Sequence, residues 1–280
     1  VGVPNAGQIA DWNGAVGQRW AAEQAVLDDL IRPYGEAVLA AAAPTCGEKV
    51  LDIGCGCGDT SIALAHAVGP TGAVVGVDVS GPMLEVARRR SVGLGNLRFR
   101  EADASQAYLP TGQSLLFSRF GVMFFDDPVA AFAHMGASLV PGGRLAFVCW
   151  QSGSLNPWAA TPAKAALEAS GLSFPPADPG APGPFAFADP ERVRTILTDA
   201  GFRDVETRPQ EADMHLGATA ADAALSSLKV GPASRIAREA GPEAFAGLLR
   251  AVEDALRPHA AASGAVILKG RAWVVTARWL

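Results

Sequence analysis

The sequence predicts a doubly wound α/β fold, a mostly parallel sheet with helices on both faces, and three observations carry that expectation. Short apolar runs that end in glycine or aspartate alternate with stretches of helical periodicity. Each passage from strand to helix carries a cap or turn signal. The alternation holds from Lys49 to Trp150, and parallel strands need such helical crossovers between them.

From Trp12 to Ala43, apolar residues recur at helical spacing (Trp20, Leu27, Ile31, Tyr34, Val38), and Pro33 predicts a break into two short helices. KVLDIG (49–54) reads as the first strand and SIALAHAV (61–68) as the helix after it, stopped by Gly69 and Pro70. AVVGVDV (73–79) is a second strand; Ser80 and Pro82 then start a helix running to Arg90. LRFREADA (97–104) and SLLFSRFG (114–121) are the third and fourth strands. Asp127 and Pro128 cap a helix through Leu139, a PGG turn follows at 141–143, and RLAFVCW (144–150) is the fifth.

Past Trp150 the rhythm breaks, and the proline- and glycine-rich stretch 151–188 reads as an insertion. A helix at 190–201, a strand near 204–215, three Ala-rich helices within 219–258 and a last strand at 271–279 complete seven strands. The 280 residues are read as a single domain. Its parts are leading helices over 1–44, a core over 45–150, insertions over 151–188 and 219–262, and closing elements over 189–218 and 263–280.

Composition removes several function classes. A net charge of −5 argues against nucleic acid as partner. No apolar stretch approaches the roughly 20 residues of a membrane span, and the first residues lack a signal-peptide pattern, so the cytoplasm is the expected location. Cys46, Cys55, Cys57 and Cys149 form no Cys-x-x-Cys pair and are expected as free thiols, with no metal site. Only 4 of the 23 basic residues are lysine and alanine is abundant, as in a GC-rich bacterial genome.

The chemistry concentrates in VLDIGCGCGDT (50–60), where Asp52 precedes Gly54, Gly56 and Gly58 between a strand and a helix. A dinucleotide fingerprint would need its third glycine at the position of Asp59. Alternate glycines let the backbone pass close to a bulky ligand of another kind. Asp78 ends the second strand, where a carboxylate can accept both hydroxyls of a ribose, with Val79 and Met83 beside it. Asp103 and Ala104 end the third strand; Ser118, Arg119 and Phe120 end the fourth, next to the first across the topological switch point.

The D-x-G-x-G-x-G turn with Asp78 resembles the class I S-adenosylmethionine-dependent methyltransferases over about residues 45–150. SRFGVMFFDDPVAAF, LVPGGRLAFVCW, WNGAVGQRW and RAWVVTARW resemble the ubiquinone/menaquinone-biosynthesis-like branch. Cys57 departs from the small or hydroxyl residue usual there. The resemblance implies a Rossmann-like sheet with an antiparallel last strand, and S-adenosylmethionine as donor with S-adenosylhomocysteine as product. It also implies that Asp103 meets the adenine amino group and that the leading helices fold over the cofactor. Trp12 or Trp20 would then face the sulfonium and Arg19 the methionine carboxylate.

The expected partner is a small-molecule acceptor, held by a partly apolar roof from the two insertions, on a monomer or homodimer. O- and C-methylation both stay open. Of the four histidines, His66 and His134 fall within sheet-covering helices and His259 ends the helical insertion; His215, after the sixth strand, is the candidate base. Two alternatives are a noncatalytic regulatory protein that binds S-adenosylmethionine and an NAD-dependent oxidoreductase.

Overall fold

The computed structural model describes residues 4–174, 178 and 180–280. Its sheet has seven strands: β1 (Lys49–Ile53), β2 (Ala73–Asp78), β3 (Leu97–Glu101), β4 (Gln113–Arg119), β5 (Leu139–Trp150), β6 (Phe202–Gly217) and β7 (Val266–Trp279). They are ordered β3-β2-β1-β4-β5-β7-β6. β1 pairs in parallel with β2 and with β4, β2 with β3, and β4 with β5, whereas β7 runs antiparallel to β5. The sheet is therefore the expected Rossmann-like one. The chain order reverses between β1 and β4, the switch point where open α/β sheets place their ligands.

The eleven α-helices among the described residues are α1 (Ala6–Asn13), α2 (Ala15–Ala22), α3 (Gln24–Ala42), α4 (Asp59–Val68), α5 (Gly81–Arg90), α6 (Pro128–Gly136), α7 (Pro157–Ser170), α8 (Pro190–Asp199), α9 (Ala220–Lys229), α10 (Pro232–Ala240) and α11 (Phe245–Leu256). The cap signals act as read: Ser80 Oγ accepts from the Met83 N–H and Asp127 Oδ1 from the Ala130 N–H. Three leading helices replace the expected two: the chain breaks at Gly14 and at Glu23, and Pro33 lies inside α3 without ending it. An interior proline costs about 3 kcal/mol. Burial of Tyr34, Val38 and Ala42 on the turns after it outweighs that cost. The PGG turn sits inside β5 as an irregularity: Gln113 pairs with Leu139 and Leu115 already with Arg144.

By its internal contacts the chain divides into two units. The first comprises Val1–Trp150, Gly180–Gln210 and Ala272–Leu280. Its core is Leu51, Leu64, Leu84, Leu116, Phe117, Phe132, Phe147 and Phe202, all sealed from solvent. The second comprises Gln151–Pro179 and Glu211–Arg271. In it α7, α9, α10 and α11 pack on one another through Ala159, Ala166, Ala223, Leu228, Ile236, Leu248 and Val252. Buried Asn156 ties this unit to the start of its own strand segment, accepting from the Arg271 N–H at 2.8 Å and from the Trp158 indole at 2.9 Å. No described helix is long and apolar enough to cross a membrane.

Candidate functional site

All but one of the candidate site residues fall in the first unit, at the carboxyl ends of β1, β2, β3 and β4, on the first turn of α5 or on the leading helices. Asp52 lies on β1 with no exposed surface. Its Oδ2 accepts from Thr60 Oγ1 at 2.8 Å and Ser61 Oγ at 2.6 Å, both on α4, while Oδ1 is buried with no partner. Burial pushes the carboxyl up to about 6, against the two hydroxyl donors that favour its charge. An unpartnered buried carboxylate oxygen is costly and keeps the capacity to accept one hydrogen bond.

The three glycines of the turn all have positive φ (65°, 54° and 82°), which explains their identity before any ligand is considered. Their surroundings differ, however. A Cβ on Gly54 would stand 2.6 Å from the Gly121 Cα, and one on Gly58 2.9 Å from the Ala87 Cβ, so both positions are closed by the protein itself. Only at Gly56 is the nearest obstacle the flexible end of a side chain, Met83 Cε at 2.8 Å. The close passage to a ligand expected of all three therefore narrows to Gly56.

Asp78 faces that glycine. Its Oδ2 accepts from the Gly56 N–H at 2.7 Å and its Oδ1 from the Ser80 N–H at 2.8 Å. Burial pushes its carboxyl above the usual range, opposed by these backbone donors. Each oxygen keeps an acceptor position, so the pair remains able to receive two vicinal hydroxyls. Val79 is half-buried beside it, Met83 is buried against Gly56, and Ala104 is buried.

Asp103 is more heavily engaged than expected. Oδ1 accepts from Ser105 N–H and Oγ, and Oδ2 from Asn5 Nδ2 and Gln106 Nε2. Partial burial works against its charge, but these donors outweigh it and hold the carboxyl below its usual range. Ser118 spends its hydroxyl accepting from the Gly121 N–H at 3.1 Å. Phe120 has a left-handed backbone (φ 62°), stacks on Trp150 at 4.1 Å and meets Tyr34 edge-on.

The guanidinium of Arg119 belongs to a closed ring of charges that the sequence did not announce. It pairs with Asp28 on α3 at 3.0 Å and with Asp59 on α4 at 2.9 Å, and Arg90 on α5 pairs with the same two acids at 2.9 and 3.2 Å. Arg90 also donates to the Cys57 carbonyl at 2.8 Å, which fastens the glycine turn to α5. Cys57 and Cys55 are buried thiols whose ionisation burial opposes, Cys57 being pushed up to about 12. On the leading helices Trp12 meets Trp20 and Phe124 edge-on at 5.7 and 5.4 Å, and Arg19 is half-buried on α2. His215 lies in the second unit, exposed on β6 between buried Met214 and Leu216. No group of three or more metal-ligating side chains occurs among the described residues.

Residues 50–143 match the family model described as a methyltransferase domain. The chain is 35% identical over 122 residues to the aklanonic acid methyltransferase of Streptomyces sp. (strain C5), covering 42% of this chain and 56% of that protein. It is 36% identical over 107 residues to the demethylmenaquinone methyltransferase of Staphylococcus aureus (strain JH9), covering 38% of this chain and 44% of that protein. The chain thus spans about half the length of the curated relatives it matches. A solved structure of an S-adenosylmethionine-dependent methyltransferase from Aquifex aeolicus shares the fold, with a TM-score of 0.50 and 24% identity over 68% of this chain and 90% of that one. Residues 50–143 thus match a methyltransferase domain model, within a fold shared with a solved S-adenosylmethionine-dependent methyltransferase.

Proposed function

We propose that this protein transfers a methyl group from S-adenosylmethionine to a small-molecule acceptor. The observation that carries the reading is the joining of Asp78 to the Gly56 N–H, which fixes a ribose-accepting carboxylate against the one glycine of the turn that only a side-chain tip obstructs. Asp52 Oδ1 supplies a buried acceptor for the α-ammonium of the methionine moiety. A dinucleotide is disfavoured because Asp59 begins α4, so a negative charge stands in the first turn, where a pyrophosphate would need the bare helix N-terminus.

The donor supplies an electrophilic methyl on sulfur. The chain's own task is then to hold an acceptor atom about 3 Å from that methyl and in line with the bond that breaks. Charge-assisted hydrogen bonds from the ribose hydroxyls to Asp78 orient the nucleoside, and an aromatic face of Trp12 or Phe124 would suit a sulfonium. A hydroxyl acceptor would call for a base, for which His215 remains the proposed residue; an activated carbon acceptor would not.

The test is incubation of the full chain with methyl-deuterated S-adenosylmethionine and a metabolite extract. The reading expects a low-molecular-mass product heavier by one trideuteromethyl group, with formation of S-adenosylhomocysteine, both lost in Asp78→Ala. Donor binding without any labelled product from aromatic, polyketide-like or quinone-like acceptors would instead favour a noncatalytic binding protein.

A further inference from the structure

Asn5 fastens the start of the leading segment. Its backbone is left-handed (φ 56°, ψ 14°), a conformation asparagine tolerates better than most residues with a side chain. It is also buried, 5% exposed. Its N–H donates to Asp126 Oδ2 at 2.6 Å and its Oδ1 accepts from the Asp126 N–H at 2.7 Å. Its Nδ2 donates to Asp103 Oδ2 at 3.0 Å and to Ser105 Oγ at 2.9 Å, and its carbonyl accepts the first bond of α1 from Ile9.

The other end of α1, about 12 Å away at 1.5 Å per residue, is fastened as well. Asn13 donates to the Val79 carbonyl at 2.7 Å and accepts from the Gly81 N–H at 3.0 Å, while Ser80 Oγ donates to the Trp12 carbonyl at 2.7 Å. Gly17 on α2 permits this approach, since a Cβ there would lie 2.5 Å from Ser80 Oγ. α1 is thus tied at one end to the turns after β3 and β4 and at the other to the turn after β2. Asp78 ends β2 beside one of these turns, and Asp103 sits on the turn after β3.

We propose that Asn5 is a positioning residue of the nucleoside subsite: it latches α1 across the ends of β2, β3 and β4 and orients the Asp103 carboxylate for an adenine amino group. The proposal rests on the adenosyl reading above. An ionised carboxylate offers about four acceptor positions, and Asp103 has four donors on it. An incoming amino group must therefore displace one of them. Gln106 is exposed and regains the rotamer freedom of a long side chain when released. Asn5 is buried and bound through three further contacts. Gln106 is the donor that yields; Asn5 stays and keeps the nucleoside in place.

Two variants of the full chain test this. Asn5→Gly keeps the left-handed backbone and deletes the amide; Asn5→Asp keeps the shape but sets a carboxylate against those of Asp103 and Asp126. Stopped-flow measurement of S-adenosylhomocysteine dissociation should show a rate at least about tenfold faster in Asn5→Gly and faster still in Asn5→Asp. Association should stay within about threefold. Gln106→Ala should change dissociation by less than about threefold. Unchanged dissociation in both Asn5 variants, tighter binding in Asn5→Gly, or an equal effect from Gln106→Ala would overturn the latch. Failure of the unaltered chain to bind S-adenosylhomocysteine would remove the adenosyl reading and the latch together, whereas binding with unchanged dissociation removes the latch alone.

Discussion

Asp78→Ala is expected to weaken S-adenosylhomocysteine binding by about two to four powers of ten, because two charge-assisted hydrogen bonds of about 1.5–3 kcal/mol each disappear. The carboxylate also holds the Gly56 and Ser80 N–H groups, so its loss loosens the turn as well as the ribose. Asn is no conservative replacement: one of its two polar ends is an amide donor and would face one of those N–H donors. Calorimetry on Asp78→Ala and Asp78→Asn reads both effects. A dissociation constant within threefold of the unaltered protein's, with the melting temperature preserved, would take Asp78 out of the site.

Arg119→Ala is expected to cost about 3 kcal/mol of folding stability, at the low end of what removing one member of a buried ion pair costs. The low end applies because Arg119 and Asp28 are nearly buried (9% and 11% side-chain exposure) while Arg90 and Asp59 remain about a quarter exposed (27% and 28%). The change leaves Asp28 and Asp59 sharing one cation. Lysine should restore only part of the loss, since a single ammonium cannot reproduce the guanidinium fork that spans both acids. Urea denaturation measures the difference; a midpoint equal to the unaltered protein's in Arg119→Ala would show that the ring contributes nothing to folding.

Much of the sheet was legible because its signals are local. Apolar runs of strand length, Ser80 and Asp127 as caps, and glycines at turns each act within a few residues. Pro33 was misread because its local cost was visible and the burial of Tyr34 and Val38 that overrides it was not. α7 was obscured by Pro157, which suits the first turn of a helix, and by Pro162, which α7 carries in its interior. In the candidate site, the places of Asp52 within β1 and Asp78 at the end of β2 were legible from the apolar runs that hold them. The charge ring did not, because Arg119 meets acids 91 and 60 positions away. Asn5 was equally silent: nothing in the order of residues tells that it reaches Asp103 and Asp126, 98 and 121 positions on.

The turn at 54–58 with Asp78 is proposed to receive S-adenosylmethionine or S-adenosylhomocysteine and not a dinucleotide. Titration calorimetry of the full chain with S-adenosylmethionine, S-adenosylhomocysteine and NAD tests it most directly. Both adenosyl ligands are expected to bind with dissociation constants on the order of micromolar, with no heat from NAD. Binding of NAD with no response to either adenosyl ligand would contradict it.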